Sequence, residues 1–185
     1  ALRPSSPYSA SKAAGDLLAQ SYYVTYKCPV ILVRSVNNFG PFQYPEKVIP
    51  LFITNLIEGK KVPLYAKGEN VRDWIHVEDN CRAIDLVLAK GVAGETYNVA
   101  AGNELTNMEL TRRILRAFGR GEEAIEHVPD RPGHDYRYSC DASKIRRLGF
   151  APRFAFDEAL EQTIDWYRRR EDWWRPLKTD AFTLK

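Results

Sequence analysis

The chain has 185 residues, of which 44% are hydrophobic and 28% are charged, and its formal net charge at pH 7 is +3. This composition is ordinary for a globular domain and excludes a disordered, collagen-like or coiled-coil chain. The small positive surplus gives no reason to expect a nucleic-acid partner, and no apolar run approaches the roughly 20 residues of a membrane span. Three widely spaced cysteines without a CxxC motif predict reduced thiols in a cytoplasmic protein, with neither a disulfide framework nor a metal site.

The chain starts at Ala1 without an initiator methionine, and its single methionine is Met108. This start suggests a piece of a longer protein, although removal of an initiator methionine would leave the same pattern. In a longer protein, motifs upstream of residue 1 would also bear on function.

Strand and helix signals alternate along the chain. The apolar run 30–33 predicts a strand buried on both faces of a parallel sheet, and the Asn-Asn-Phe-Gly-Pro stretch 37–41 after it predicts a turn. Further strands are predicted at 62–65, 71–77, 96–99 and 125–128. Helices are predicted at 8–26, 48–58, 79–90, 106–118, 141–149 and 157–170, with Thr106 and Glu109 forming a capping box and Asp141 as a cap. This alternation indicates an α/β architecture with a smaller mixed lobe.

Two Tyr-x-x-x-Lys pairs lie on the first predicted helix, Tyr8 with Lys12 and Tyr23 with Lys27. The spacing places each pair on one helix face, where the lysine cation favours the phenolate and makes the tyrosine a usable general base. With ten tyrosines in the chain, one such pair is expected about half the time by chance, so two surface pairs are the alternative.

Polar side chains also follow the first predicted strand. Asn37 and Asn38 lie where ligands bind in open α/β sheets, outside the carboxyl ends of strands, and a plain Asx turn is the alternative. Arg72 and Arg131 suit a diphosphate because guanidinium binds phosphate oxygens in pairs. A structural ion pair with a neighbouring aspartate, Asp73 or Asp135, is the alternative there.

The sequence around Tyr8, residues 5–14, resembles the active-site helix of the extended short-chain dehydrogenase/reductase superfamily. Blocks 34–50, 68–79 and 130–135 resemble, in that order, dTDP-glucose 4,6-dehydratases of this superfamily, and the likeness fades only after Trp173. The resemblance implies the C-terminal part of a Rossmann-like NAD-binding domain over 1–60. It implies a nucleotide-sugar-binding lobe over 61–185, with some elements returning to the Rossmann-like sheet.

The resemblance also implies residue roles. Tyr8 and Lys12 are the catalytic pair, and both bind NAD together with Asn38. The dTDP-sugar substrate is contacted by Asn37, Lys47, Val48, Pro63, Leu64, Tyr65, Arg72, Asn107, Asp130, Arg131 and His134. From the residues alone, Lys47 also fits a solvated charge, Tyr65 a half-buried edge-strand residue and His134 a structural histidine.

The implied reaction is an internal redox cycle that yields a 4-keto-6-deoxy nucleotide sugar. Tyr8 takes the proton of the sugar 4-hydroxyl as hydride passes to NAD, water leaves across C5 and C6, and the hydride returns to C6. The family's glycine-rich cofactor turn and its Thr-Asp-Glu acid–base triplet do not occur in these 185 residues. The chain alone is therefore expected to be inactive.

The resemblance implies a homodimer, to which the first helix contributes. Two alternatives remain open: a sister enzyme such as a UDP-sugar epimerase or decarboxylase, and a non-catalytic nucleotide-sugar-binding or assembly module.

Overall fold

The computed structural model describes residues 3–178, in which helices and strands alternate. The helices are α1 (Pro7–Tyr26), α2 (Val48–Ile57), α3 (Val77–Lys90), α4 (Asn107–Ala117), α5 (Ser143–Arg147), α6 (Phe156–Arg169) and α7 (Glu171–Trp174), with 3-10 turns at Glu122–Ala124 and Arg175–Leu177. The strands are β1 (Leu32–Ser35), β2 (Asn37–Phe39), β3 (Val62–Tyr65), β4 (Val71–His76), β5 (Thr96–Val99), β6 (Glu104–Thr106), β7 (Ile125–Val128) and β8 (Arg137–Tyr138).

Most strand pairs are parallel. β1 pairs with β5, β2 pairs with β4, and β3 pairs with β7, all in the parallel sense, while β6 runs antiparallel to β4 and the short β8 runs parallel to it. Parallel strands connected by helices are the α/β architecture that the alternating sequence pattern predicts.

Two hydrophobic cores hold these elements. The larger core joins side chains of α2, β3, α4, β7, α6 and α7, and includes the fully buried Ile53, Ile114 and Trp174. The second core joins β5, α3 and α5 around Ile75, Val99 and Ile145. α2 thus packs with the later elements, and α3 and β5 pack beside β1.

Local signals fix both ends of α1. The hydroxyl of Ser6 accepts from the N–H of Ser9 while the Ser9 side chain accepts from the Ser6 N–H, and Pro7 occupies the first helical position. At the other end Lys27 adopts a left-handed conformation with φ 56°. The same reciprocal capping joins Thr106 to Glu109 at the start of α4, so that predicted capping box is confirmed.

Three local predictions are wrong. The Asn37–Phe39 segment is a strand, because its backbone pairs with β4, and the turn begins only at Gly40, which has φ 142°. The first strand lies two residues later than predicted and is half-buried, because β5 is its one paired strand within residues 3–178. Asp141 binds the N–H and hydroxyl of Ser143, but the N-cap position itself is Ala142.

No helix within residues 3–178 is long and apolar enough to cross a membrane. Over the same range, no group of three or more His, Cys, Asp or Glu side chains comes together as a metal ion would require.

Candidate active site

A cleft of about 970 Å³ opens along α1. One wall is the first half of α1, and the floor is the end of β1 and the start of β2. The opposite wall is the start of β4 and the loop that leads to β8. Six of the predicted site residues line this cleft: Tyr8, Lys12, Asn37, Asn38, Arg72 and Arg131.

The structure separates the two Tyr-x-x-x-Lys pairs. Tyr8 and Lys12 line the cleft, and the Tyr8 side chain is 74% exposed. Tyr23 instead packs against Gly94, where an added Cβ would lie 2.3 Å from the tyrosine ring. Lys27 ends the helix and donates its ammonium to the carbonyl of Val24. Tyr8 and Lys12 therefore line the open cleft, whereas Tyr23 and Lys27 hold the C-terminal end of α1 in place.

Asn38 presents an unused acceptor at the floor of the cleft. Its amide nitrogen donates to the carbonyl of Val36 at 3.1 Å, and its backbone carbonyl accepts from the amide of Gln43 at 2.9 Å. The side-chain oxygen of Asn38 is buried, and no described residue donates to it. Because a buried carbonyl oxygen without a donor is costly, this atom suits a ligand N–H group.

Arg72 is buried at the opposite wall and bonds to main-chain oxygens. Its guanidinium donates to the carbonyls of Val71 at 2.7 Å and Asp135 at 2.8 Å. Burial is the main effect that lowers the pKa of Arg72, with Asp135 opposing it. The neighbouring Asp73 carboxylate is committed elsewhere, to the N–H groups of Gly102 and Asn103. Arg72 therefore forms neither of the two carboxylate ion pairs that were its structural alternative.

The loop beside Arg72 carries a second set of predicted residues. The Asp130 carboxylate accepts from the N–H of Arg131 and lies 2.6 Å from His134 Nδ1. This bond to His134 is the main cause that lowers the pKa of Asp130. The His134 ring meets the edge of Tyr65 with ring centroids 5.7 Å apart. The tyrosine thus lies next to the loop.

The remaining predicted residues do not line the cleft. Lys47 is exposed and paired with Glu46 at 2.7 Å, and Val48 packs on the larger core. Pro63 is half-buried in β3, and Leu64 is 2% exposed in the core, so only its main chain can meet a ligand. Asn107 starts α4 and donates its N–H to the carbonyl of Asn70.

The cleft-lining residues that were not predicted from the sequence include Asp16, Arg34 and Tyr138. Arg34 Nε donates to Asp16 at 2.5 Å, and the Tyr138 hydroxyl donates to the carbonyl of Ser35 at 3.3 Å. Burial raises the pKa of Tyr138. The sequence could have indicated Asp16, because it lies one turn after Lys12 on the same helix face. Tyr138 had no signal in the sequence.

Residues 1–163 match the family model described as GDP-mannose 4,6 dehydratase. The chain belongs to this family. It is 55% identical to the dTDP-glucose 4,6-dehydratase of Streptomyces niveus over 95% of its own length, and 45% identical to the Escherichia coli dTDP-glucose 4,6-dehydratase over 97%. Each match covers 53% of the relative, so the chain spans about half the length of the curated relatives it matches.

Solved structures in the dehydratase family confirm the predicted Rossmann-like α/β fold. A dTDP-glucose 4,6-dehydratase of Streptomyces venezuelae, solved with NAD bound, superimposes with a TM-score of 0.94 at 51% identity, covering 96% of this chain and 56% of that one. A Thermus thermophilus UDP-glucose 4-epimerase in complex with NAD gives a TM-score of 0.84 at 31% identity, covering 91% and 56%. The fold is therefore shared across different nucleotide-sugar reactions, and the site must decide between them.

Proposed function

We propose that this chain provides the catalytic helix and the nucleotide-sugar-binding half of a dTDP-glucose 4,6-dehydratase. The observation that carries the proposal is the convergence of Tyr8, Lys12, Asn37, Asn38 and two arginines on one cleft. These residues come from four separate segments of the chain. A base, amides and diphosphate-binding cations in one cleft match the parts of a nucleotide-sugar substrate.

Tyr8 is the proposed base. Its side chain lines the cleft one helical turn before Lys12, whose ammonium would stabilise the negative charge that Tyr8 carries when it acts as the base. The phenolate oxygen can then take the proton of the sugar 4-hydroxyl. The acid and base for loss of water are not assigned to any residue of this chain.

The cleft fits NAD at its nicotinamide end. The buried Asn38 oxygen needs an N–H donor, which a carboxamide has, and Tyr8 and Lys12 line the same cleft. When bound, NAD supplies the hydride acceptor for oxidation at C4. These three residues are the proposed cofactor contacts of the chain.

The substrate is proposed to lie between Asn37 and the loop after β7. Arg72 and Arg131 would bind the diphosphate, and Asn37 the sugar. Tyr65 offers an aromatic face for the base beside His134 and Asp130. The proposed contacts also include Lys47, Val48, Pro63, the main chain of Leu64 and Asn107. Lys47 would have to break its ion pair with Glu46 to contact the substrate.

A UDP-sugar epimerase is the second candidate function, favoured by the 31% identical epimerase structure. Titrating the chain with dTDP and with UDP by calorimetry distinguishes the two. The dehydratase proposal predicts tighter binding of dTDP. Tighter binding of UDP would favour the epimerase, and binding of neither nucleotide would contradict the proposed substrate site.

We further propose a cytoplasmic homodimer. None of the twenty residues of α1 is buried, and Leu17, Leu18, Tyr22, Val24 and Tyr26 are each at least half exposed, a surface that a second copy can cover. Sedimentation velocity at micromolar concentration tests the proposed dimer, and a monomer would contradict it.

The proposed cytoplasmic location fits the three cysteine thiols, which are free, as is usual in a reducing compartment. We also propose the division of the chain into a Rossmann-like part at 1–60 and a mainly substrate-binding lobe at 61–185.

A further inference from the structure

Arg34 and Asp16 form an ion pair at the wall of the cleft. The Nε of Arg34 in β1 lies 2.5 Å from a carboxylate oxygen of Asp16 in α1, and both side chains are partly exposed. No bound group is needed to explain the pair, and neither residue belongs to the proposed contacts with cofactor or substrate.

The position of Asp16 makes the pair significant for Lys12. Tyr8, Lys12 and Asp16 follow one another at intervals of four, so they form a single row along the cleft face of α1. A lysine and an aspartate four residues apart on a helix attract each other. Without Arg34, the Asp16 carboxylate would be available to pair with the Lys12 ammonium one helical turn away.

Lys12 nevertheless makes no hydrogen bond or ion pair with any residue in the described range 3–178, whereas Asp16 is bound to Arg34. A charge-assisted bond to a guanidinium holds the carboxylate on the side of α1 that faces β1. The ammonium is thereby left for the cleft, where Tyr8 lies.

The pair also attaches α1 to the sheet. No residue of α1 is buried, so hydrophobic packing alone gives this helix little hold on its rotation about its axis. The charged link from the middle of the helix to β1 acts together with the contact of Tyr23 with Gly94 in fixing which face of α1 meets the cleft.

We propose that Arg34 is a positioning residue that withdraws Asp16 from Lys12 and so keeps the Lys12 ammonium free to act on Tyr8. The inference rests on the proposed function, because that function gives the Lys12 ammonium its role beside Tyr8. The pairing of Asp16 with Arg34 or with Lys12 can nevertheless be measured in the chain without cofactor or substrate.

The test is competitive acetylation of the chain with limiting acetic anhydride. Mass spectrometry measures the fraction of Lys12 that is acetylated, relative to the acetylated fraction of the exposed Lys67. In Arg34→Gln the freed Asp16 should pair with Lys12 and lower its relative reactivity roughly twofold. The double variant Arg34→Gln with Asp16→Asn should restore it. Both variants lose the ion pair to β1, but only the single variant frees a carboxylate.

That contrast removes a purely structural explanation. If α1 merely loosens, the two variants change Lys12 reactivity alike, and the proposal is overturned. Unchanged reactivity in Arg34→Gln also overturns it. Helix content by circular dichroism reports whether α1 remains folded in each variant. Because no nucleotide is present, failure here leaves the proposed function intact, and failure to bind dTDP leaves this result intact.

Discussion

The guanidinium of Arg72 lies 2.8 Å from the main-chain carbonyl oxygen of Asp135, and so ties the loop that leads to β8 to the buried start of β4. Asn70 supports the same contact by donating its amide to that oxygen at 3.2 Å. Arg72 is thus held at the wall of the cleft, which it also lines. It can anchor the loop and bind a diphosphate together.

Replacing Arg72 with lysine should weaken dTDP binding by about tenfold to a hundredfold, because a point charge replaces a planar fork. Calorimetry on the chain measures the dissociation constant. Arg147→Lys, on the exposed end of α5, is the matched control and should bind dTDP as the parent does. Equal affinity in both variants would restrict Arg72 to anchoring the loop.

The two Tyr-x-x-x-Lys pairs give a direct comparison. With the chain joined to the half of a dTDP-glucose 4,6-dehydratase that it does not span, Tyr8→Phe should lower turnover by several orders of magnitude, because the proton acceptor is lost. Tyr23→Phe should change it little, since Tyr23 packs against Gly94. Steady-state rates at saturating dTDP-glucose measure both. Similar losses in the two variants would contradict the choice of Tyr8.

The capping box of α4 should be measurable as stability. Thr106→Ala removes the acceptor for the Glu109 N–H at 3.1 Å, and should cost about 1 kcal/mol of unfolding free energy in urea. Thr106→Ser keeps the hydroxyl and should lose only a fraction of that. If serine and alanine were equally destabilising, packing of the threonine methyl and not the cap would explain the loss.

His76 should make the protein less stable in acid. The residue is 5% exposed, and its ring centroid lies 4.1 Å from that of Phe154. Its Nδ1 is buried, and no described residue forms a hydrogen bond with it. Burial lowers the pKa of His76 below the ordinary 6.5, with Glu78 and Asp79 opposing. The unfolded chain therefore takes up the proton first. Stability that is complete above about pH 6.5 is lost as the pH falls toward the lowered value.

Urea unfolding of the parent and of His76→Phe at pH 7.5 and pH 5.5 isolates this contribution. The phenylalanine variant keeps the packing against Phe154 but cannot take up a proton. It should lose less stability than the parent over that interval. Equal losses would assign the acid sensitivity to other groups.

Features coded by neighbouring residues were predictable from the sequence. The Thr106–Glu109 capping box is local, as is the helix stop at Lys27 before Cys28-Pro29. The strand Asn37–Phe39 was not predictable, because its two asparagines have turn chemistry and only pairing with the distant β4 makes it extended. Non-local backbone pairing overrode local propensity there.

The site shows the same division. Tyr8 and Tyr23 have the same motif, and only the surrounding family-like sequence favoured the first, which the structure then places at the cleft. The ion pair of Arg34 with Asp16 joins residues eighteen positions apart on a strand and a helix. No sequence spacing encodes such a contact, because it depends on how α1 lies across β1.

We propose that the cleft along α1 belongs to a site that dehydrates a dTDP-hexose. The most direct measurement is the mass of the product formed from dTDP-glucose and NAD by this chain joined to the half of the Streptomyces niveus dehydratase that it does not span, with the chain alone as control. We expect loss of one water, giving a 4-keto-6-deoxy sugar, and no product from the chain alone, which contains no glycine-rich cofactor turn. A product of unchanged mass, as an epimerase makes, or turnover by the chain alone, would contradict it.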